Sequence, residues 1–434
     1  MRLLYLALSQ ATYGETLIGL SLADQLRAPG VSAHFVSPES ARASVEQHGF
    51  GCTTLDESAG PRVRGLLSDI VKEQRPDGII LSDYFTYWSQ LEKRFGTDPW
   101  FIHELGVPVL PIDIWELEES SFRIDVCGGP GQEIDPHIRR MPAHLRPVPV
   151  AHTAETGAPG FPYRVIEPES RLSDEERGRV RAGLGLTASD RLVMFPVSEW
   201  QQPPRGKRGM VTDMVHRLAA GVPELIVRYL RGLPESTHVL VVGEPLAAFS
   251  EFPAERLHVL PRVPRERYHA LLSSSDLIVS LSMAAMTVIR SLFLDVPSLM
   301  ISNSFTVRDE ADAHAADRAL GGLSPAVTKW LASYGPIEPF RQWPKGAFAF
   351  QAPLWRENAY TTAVAQAELL DENGVTALME RLLHDPEERR ERAGARAEYV
   401  ASVNALPPAS TVVRRALATA RATRVEIDMY NTTG

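Results

Sequence analysis

A continuous apolar run from Arg2 to Leu8 opens the chain and turns polar at Ser9. A run without a polar face is typical of a parallel strand that helices cover on both sides. A stretch with helically spaced leucines follows over residues 17–26, and a second apolar run, Val31 to Val36, comes after it. This order predicts a βαβ unit, which builds a parallel sheet through a right-handed crossover.

The second half of the chain repeats the pattern of the first. Asp77–Ser82 resembles Asp276–Leu281, and each run is followed by a helical stretch and then by a strand that begins with Val-Pro. The 434 residues also exceed one ordinary domain of about 100–200 residues. We therefore predict an α/β fold with two Rossmann-like, doubly wound domains. Buried strands are further predicted at Gly78–Leu81, 106–112, Arg191–Pro196, Thr237–Val242, Leu257–Val259, Leu277–Leu281 and Ser298–Ile301.

Local signals predict the domain boundaries. Residues Cys127–Pro168 are rich in Gly, Pro and His, and we expect loops there, near an inter-domain connection. Ser173 and Glu176 have the spacing of a capping box and predict the start of a helix. The predicted domains are an N-terminal domain over 1–170, a C-terminal domain over 171–405, and a terminal helix over 406–434 that crosses back to the N-terminal domain.

Composition argues against several functional classes. The chain carries 45 Lys and Arg against 54 Asp and Glu, a formal net charge of −9, so no broad nucleic-acid-binding surface is expected. The two cysteines, Cys52 and Cys127, lack metal-ligand spacing and provide no disulfide framework. The N-terminal apolar run is too short for a signal peptide or a membrane span. We expect a cytoplasmic protein without a nucleic-acid or membrane partner, and the oligomeric state stays open.

The loop Ser282–Thr287 follows a predicted strand of the C-terminal domain. Ligands of doubly wound sheets bind at the carboxyl ends of strands, where free amides at helix N-termini attract phosphates. Small side chains at Ser282, Ala284 and Ala285 would let a diphosphate approach the backbone, and Thr287 would add a hydroxyl donor. The alternative is a turn that only packs against its neighbours.

A basic loop follows the strand Arg191–Pro196. It contains Ser198 and then Arg205, Lys207 and Arg208 between glycines. Cations in this place would neutralise the charge that develops on a diphosphate leaving group. The alternative is a solvated surface loop.

Loops of the N-terminal domain supply candidate general bases. Tyr13 and Glu15 follow the first strand and Asp83 follows a later one. His, Asp and Glu are the usual bases when neighbouring groups tune their pKa values. Asp113 and Glu116 follow another strand of the same domain and compete for this role.

An aromatic segment lies late in the C-terminal domain. Phe348–Gln351 alternates like a strand, and Trp355 and Tyr360 follow it. Aromatic rings beside polar groups would suit a sugar, or the rings would simply pack the domain.

The region from Arg262 to Pro297 contains a series of spaced motifs: Arg262-Val263-Pro264, Tyr268, Leu271-Leu272, Ser275–Ser280, Thr287 and Val296-Pro297. This series resembles the donor-binding region of GT-B glycosyltransferases, and the N-terminal segment with Gly14 resembles the opening loop and helix of that family. The resemblance implies a GT-B architecture, in which two Rossmann-like domains face a cleft. It also implies transfer of a sugar from a nucleoside diphosphate sugar.

The sequence departs from the pattern of that family at three places. Ser282–Thr287 stands where the family has a glycine-rich phosphate loop, and every glycine is replaced. Arg290 stands where the family has the acidic residue that holds the nucleotide ribose, and would instead approach a phosphate. No His follows the first strand, where natural-product glycosyltransferases carry the group that activates the acceptor.

We therefore expect a metal-independent glycosyltransferase that moves a sugar from a nucleoside diphosphate sugar to a small acceptor. Bacterial secondary metabolism, such as antibiotic biosynthesis, is the expected setting. The donor and the acceptor are the expected partners, and no cofactor or metal is expected because cations and helix dipoles would offset the diphosphate charge. The replaced glycines favour an alternative, a non-catalytic auxiliary protein. A nucleotide-sugar epimerase is a third hypothesis. The acceptor would bind near Tyr13, Glu15 and Asp83, and the donor near Ser198, Arg205, Lys207, Ser282, Ala284, Ala285, Met286, Thr287 and Arg290.

Overall fold

A computed structural model of the chain describes residues 1–9, 14–117, 122–154, 157–168, 170–197, 201 and 212–432, with side chains as far as residue 423. The chain divides into two units. Unit 1 comprises Met1–Phe122, Glu133–Glu167 and Ser402–Gly434, and unit 2 comprises Arg123–Gln132 and Pro168–Ala401. Residues 123–132 thus belong to unit 2, whereas the sequence places them in the N-terminal domain.

The strands and helices follow one another along the chain in a largely alternating order. The strands are β1 (Arg2–Leu6), β2 (Ser32–Ser37), β3 (Gly51–Thr54), β4 (Gly78–Leu81), β5 (Val109–Pro111), β6 (Arg123–Ile124), β7 (Gln132–Glu133), β8 (His144–Val148), β9 (Gly160–Arg164), β10 (Arg191–Pro196), β11 (Thr237–Val242), β12 (Leu257–Leu260), β13 (Leu277–Ser280), β14 (Ser298–Ser302) and β15 (Ala365–Glu368). The α-helices are α1 (Gly14–Gln25), α2 (Glu39–Gln47), α3 (Val63–Gln74), α4 (Tyr84–Lys93), α5 (Asp174–Ala182), α6 (Asp213–Arg231), α7 (Arg265–Ser274), α8 (Met286–Phe293), α9 (Glu310–Leu320), α10 (Pro325–Tyr334), α11 (Ala352–Trp355), α12 (Tyr360–Ala363), α13 (Glu372–His384), α14 (Pro386–Asn404) and α15 (Ala409–Thr432).

Unit 1 is built on a five-stranded parallel sheet in the order β3-β2-β1-β4-β5. The central strand β1 is buried from Leu3 to Leu6, which explains its unbroken apolar run. The C-terminal helix α15 packs against β5, β8 and β9. Its residues Val413 and Ala416 share one apolar core with Tyr5 and Leu20.

Unit 2 is built on a six-stranded parallel sheet in the order β12-β11-β10-β13-β14-β15. Helix α6 covers it with an apolar face that includes Leu218 and Val222. Two buried tryptophans fix this helix through their indole N–H groups: Trp343 donates to the carbonyl of Leu218 (2.9 Å) and Trp330 to that of Gly221 (2.8 Å). None of the described helices of either unit is long and apolar enough to cross a bilayer.

Side chains cap the starts of α5 and α14. The capping box at the start of α5 is confirmed, because the amide of Glu176 donates to Ser173 Oγ (3.3 Å) and the amide of Ser173 donates to Glu176 Oε2 (2.9 Å). At the start of α14, Asp385 Oδ1 accepts the amides of Glu387 (2.8 Å) and Glu388 (3.3 Å).

The predicted fold class is confirmed, since each unit holds a parallel, doubly wound sheet with helical connections. The prediction of loops throughout 127–168 is wrong, because β8 and β9 pair there in parallel. Their prolines hide the strand pattern, and a parallel pair leaves no turn signal between its strands. The predicted strand at Phe348–Gln351 is also wrong. Its amides at Phe348 and Phe350 donate to the Asp125 carboxylate (2.8 and 2.9 Å) instead of to a neighbouring strand.

In each sheet the chain leaves the central strand in both directions. This topological switch point falls between β1 and β4 in unit 1, and between β10 and β13 in unit 2. Doubly wound proteins bind their ligands outside the carboxyl ends of the strands at this point. A ligand-binding site is therefore expected in the loops that leave these four strands.

Candidate functional site

The turn between β13 and α8 leaves the start of the helix open. Within the turn, the amide of Met283 donates to the carbonyl of Arg341 (3.3 Å), and the amide of Ala285 donates to that of Ser282 (3.3 Å). The first three helix residues, Met286 to Val288, donate their amides to no residue that the structure describes. Unpaired amides and the positive end of a helix dipole together favour an anion.

Exposure falls along the first turn of α8, since Thr287 and Val288 are 9% and 0% exposed. Ala284, Ala285 and Met286 are half-buried, and none of them caps α8. Met283 instead points into the protein and is 1% exposed, and its carbonyl accepts the hydroxyl of Tyr360 (2.6 Å). The half-exposed alanines thus border the open amides, while the buried methionine supports the turn.

The aromatic segment packs beneath the turn. Tyr360 is fully buried and stacks on Trp355, with 5.5 Å between the ring centroids. Trp355 is itself 8% exposed. Both rings therefore belong to the core of unit 2, which is the packing alternative that the sequence leaves open.

Thr287 is held by a tyrosine from the preceding helix. Its hydroxyl forms a hydrogen bond with the hydroxyl of Tyr268 on α7. Burial raises the pKa of Tyr268, and the hydrogen bond from Thr287 and the positive charge of Arg290 offset this in part. Arg290 therefore adds a positive charge close to the Tyr268–Thr287 pair.

Several predicted site residues lie outside the described residues. They are Tyr13 in unit 1 and Ser198, Arg205 and Lys207 in unit 2. The basic loop that contains the last three leaves β10, which is the neighbour of β13 in the sheet. Its first described residue, Val197, follows the carboxyl end of β10, on the same sheet edge as the turn before α8.

In unit 1, Glu15 holds the loop after β1. Its carboxylate accepts the amides of Leu8 (3.1 Å) and Ser9 (2.7 Å), and the residue is 3% exposed. Burial and then the negative charge of Asp83 raise the pKa of Glu15 well above its usual range, although the two amides act in the opposite direction. Its position indicates a group that shapes the loop and has little access to a substrate.

Asp83 and Asp113 follow the neighbouring strands β4 and β5. Burial raises the pKa of Asp83 to about 6, against a hydrogen bond from the Thr86 hydroxyl. Both carboxylate oxygens of Asp113 accept the amide of Leu117 (2.9 and 3.1 Å). Among the described residues, no group of three or more His, Cys, Asp or Glu is placed to hold a metal ion.

Glu116 forms a pair that the sequence does not reveal. Its Oε1 accepts the backbone amide of His152 (2.6 Å), and its Oε2 lies 2.7 Å from His152 Nδ1. The side chain of His152 is 32% exposed, in contrast to the buried acids Glu15 and Asp83. The Glu116 carboxylate orients the imidazole of His152, and a carboxylate–imidazole pair has the composition of a general base with its positioning group.

Comparisons with known proteins agree with the fold. The model of the family described as "Family of unknown function (DUF6365)" matches residues 22–422. No curated protein matches the sequence.

Solved structures of glycosyltransferases are similar to this chain over nearly its whole length. The spinosyn forosaminyltransferase SpnP is 15% identical with a TM-score of 0.54, over 97% of this chain and 99% of its own. Glycosyltransferase VinC, solved in complex with dTDP, is 14% identical with a TM-score of 0.55, over 97% and 100%. Anabaena HepE, solved in complex with UDP-glucose, is 12% identical with a TM-score of 0.54, over 98% and 100%. At these identities the likeness establishes the fold alone. The chain belongs to the DUF6365 family, and it shares its α/β fold with these glycosyltransferases.

Proposed function

We propose that this protein is a glycosyltransferase that moves a sugar from a nucleoside diphosphate sugar to a small-molecule acceptor. The observation that carries the proposal is the open N-terminus of α8 at the switch point of unit 2, with its unpaired amides from Met286 to Val288. Two proteins with the same fold, VinC and HepE, were solved with dTDP and UDP-glucose. A diphosphate is the ligand that such a helix terminus favours.

The donor diphosphate would lie against the turn from Ser282 to Thr287. Ala284 and Ala285 present no side chain large enough to keep it from the amides, and the half-buried Met286 borders them. Arg290 adds positive charge beside Thr287. In the basic loop, Ser198, Arg205 and Lys207 would contact the same diphosphate from β10, the neighbouring strand. These cations and amides supply the charge stabilisation that a metal provides elsewhere.

The acceptor would be activated by unit 1. His152 is the base in this proposal because its side chain is accessible and Glu116 fixes its orientation. The acceptor nucleophile attacks the anomeric carbon of the donor while His152 takes its proton. The bond between that carbon and the diphosphate oxygen breaks, and the nucleoside diphosphate leaves. Glu15 and Asp83 hold the loops around this site, and Tyr13, two residues before Glu15 in the sequence, is a further candidate for it.

A non-catalytic auxiliary protein is the second candidate. The observation that favours it is the loss of every glycine from the phosphate loop, together with Arg290 in place of an acid. Such a protein would keep the fold and the nucleotide site without turning over a donor.

Release of nucleoside diphosphate from a panel of nucleoside diphosphate sugars would distinguish the two candidates. The glycosyltransferase proposal predicts slow release without acceptor for at least one donor, and its loss in His152→Ala. Binding of a nucleotide without any release, with or without a panel of small acceptors, would favour the auxiliary protein. Absence of both binding and release would reject the proposal.

A further inference from the structure

Unit 2 contains a cavity that is rich in arginine and separate from the turn before α8. Its volume is about 300 Å³. Its charged lining residues are Arg171, Asp295, Arg389, Arg390 and Arg396. Four guanidinium groups against one carboxylate leave an excess of three positive charges in a small space.

One face of α14 builds most of this cavity. Arg389, Arg390, Ala393 and Arg396 are spaced so that they share a helix face. The methyl group of Ala393 between the arginines leaves the room that forms the cavity. The amides at the start of α14 take no part, because Asp385 already accepts those of Glu387 and Glu388.

The arginines of the cavity fall into two sets. Arg396 is 3% exposed, and its Nε and Nη2 donate to Asp295 Oδ1 (3.0 and 2.7 Å). Arg171 Nη1 lies 3.9 Å from Asp295 Oδ2. Arg389 and Arg390 are exposed, and their guanidinium groups form no hydrogen bond or ion pair with any residue in the described ranges. The cavity thus has a buried, fixed cation in its wall and two uncommitted cations beside it.

The cavity lies at the opposite edge of the sheet from the turn before α8. Asp295 and Pro297 precede β14, whereas Ser282 and the turn follow β13, and the two strands run parallel with Ile278 beside Ser298. A strand of this length separates the two edges by roughly 15 Å at about 3.3 Å per residue. A ligand in the cavity would therefore be distinct from a diphosphate on α8.

We propose that this cavity binds a small phosphate-bearing anion. Guanidinium groups match phosphate oxygens in geometry and charge. The volume is at the small end of ligand pockets, and no lining residue is aromatic, so a nucleobase has nothing to stack on. Inorganic phosphate, pyrophosphate and sugar phosphates fit these limits. This inference does not depend on the proposed transferase activity.

Calorimetric titration of the full chain with pyrophosphate tests the proposal. The variant R389Q/R390Q removes two exposed, unpaired cations, so the protein should fold with an unchanged Tm. We expect its Kd for pyrophosphate to rise by at least about tenfold. The control R231Q/R318Q removes two exposed arginines from α6 and α9 that do not line the cavity, and should leave the Kd unchanged. Equal weakening in both double variants would show general charge attraction and overturn the proposal.

Two further experiments distinguish binding in the cavity from binding at the turn before α8 and from binding to a lipid. Ala285→Asp, which closes the start of α8, should leave this pyrophosphate site intact. If it abolishes all pyrophosphate binding, the anion binds at the turn and the cavity proposal fails. Vesicles that contain phosphatidic acid present the same phosphate chemistry on a lipid. Binding of these vesicles without binding of pyrophosphate would overturn the assignment to a small free anion, as would no binding of either probe.

Discussion

The negative charge of the buried Asp83 carboxylate raises the pKa of the buried Glu15 carboxyl group at the switch point of unit 1, in addition to the larger effect of burial. Each group follows a different strand, β1 or β4, and the two strands are neighbours in the sheet. The loops at this edge are therefore linked electrostatically as well as by the backbone.

Asp83 should make the stability of the protein fall as the pH rises through weakly acidic values. Its pKa is raised by burial from 3.8 to about 6, so the folded state holds a proton that the unfolded state has released. The stabilisation is complete below pH 3.8 and is lost as the pH rises to about 6. The contribution is on the order of 2–3 kcal/mol. Asp83→Asn should flatten the free energy of unfolding between these pH values, as measured in urea. A slope equal to that of the wild type would show that Asp83 is ionised when folded.

His152→Ala should slow transfer strongly and leave nucleotide binding intact. Loss of a general base slows a reaction by about 10²–10⁴-fold, whereas the proposed donor site lies in unit 2. Glu116→Gln should give a smaller loss, because it keeps the hydrogen bond to the His152 amide and weakens only the orientation of the ring. The measurement is the rate of transfer, with the Kd for the nucleoside diphosphate as its control. Full activity in His152→Ala would leave Asp83 as the candidate base.

Gly19 allows α1 to pack closely on the loop after β4. A Cβ atom at this position would lie 2.6 Å from Ser82 Oγ and 3.2 Å from the ring of Phe35. Gly19→Ala should therefore destabilise the protein by about 1–3 kcal/mol through overpacking. Gly65→Ala in α3 is the matched control, since its Cβ would meet open space and should stabilise by about 0.5–1 kcal/mol. Thermal unfolding of both variants measures the difference, and equal effects would contradict the close packing of α1.

Thr287→Val should destabilise the protein by about 1–3 kcal/mol, because it leaves the buried hydroxyl of Tyr268 without a partner. Thr287→Ser keeps the hydroxyl and should stay within about 1 kcal/mol of the wild type. Urea unfolding of the two variants makes the comparison. A valine variant as stable as the wild type would show that the hydrogen bond between Thr287 and Tyr268 contributes nothing to stability.

Much of the fold follows from the sequence because its strands are buried on both faces. Gly78–Leu81, Arg191–Pro196 and Thr237–Val242 form strands with the bounds that the apolar runs predict. The strands β8 and β9 contain prolines and pair through tertiary contacts, so no local pattern reveals them. At Phe348–Gln351 the sequence predicts a strand that the structure lacks. The segment pairs with no neighbouring strand, and its amides donate to the Asp125 carboxylate instead.

The candidate site is likewise predictable from the sequence only in part. The turn from Ser282 to Thr287 is recognisable from its place after a strand, because that rule depends only on topology. The pairing of Glu116 with His152 is not recognisable from the sequence, because the two residues are far apart in the chain and His152 lies in a proline-rich stretch. Glu15 and Asp83 are buried whereas the side chain of His152 is accessible, and this difference favours His152 as the base. The sequence around a single acidic residue does not show whether its side chain is buried.

Binding of nucleoside diphosphates to the Ala285→Asp variant tests whether a diphosphate binds at the start of α8. Ala285 is the N-cap residue of α8 and has an extended backbone conformation, and its side chain accepts no hydrogen bond from the helix amides. An aspartate there would accept the open amides, so the protein should gain about 0.5–2 kcal/mol of stability. The same carboxylate would exclude and repel a diphosphate, so the tightest-binding nucleotide among UDP, dTDP and GDP should lose at least about tenfold in affinity, or roughly 1.4 kcal/mol. Ala285→Ser caps the helix without charge and should lose less. A variant that gains stability yet binds the nucleotide as tightly as the wild type would contradict a diphosphate site at the start of α8.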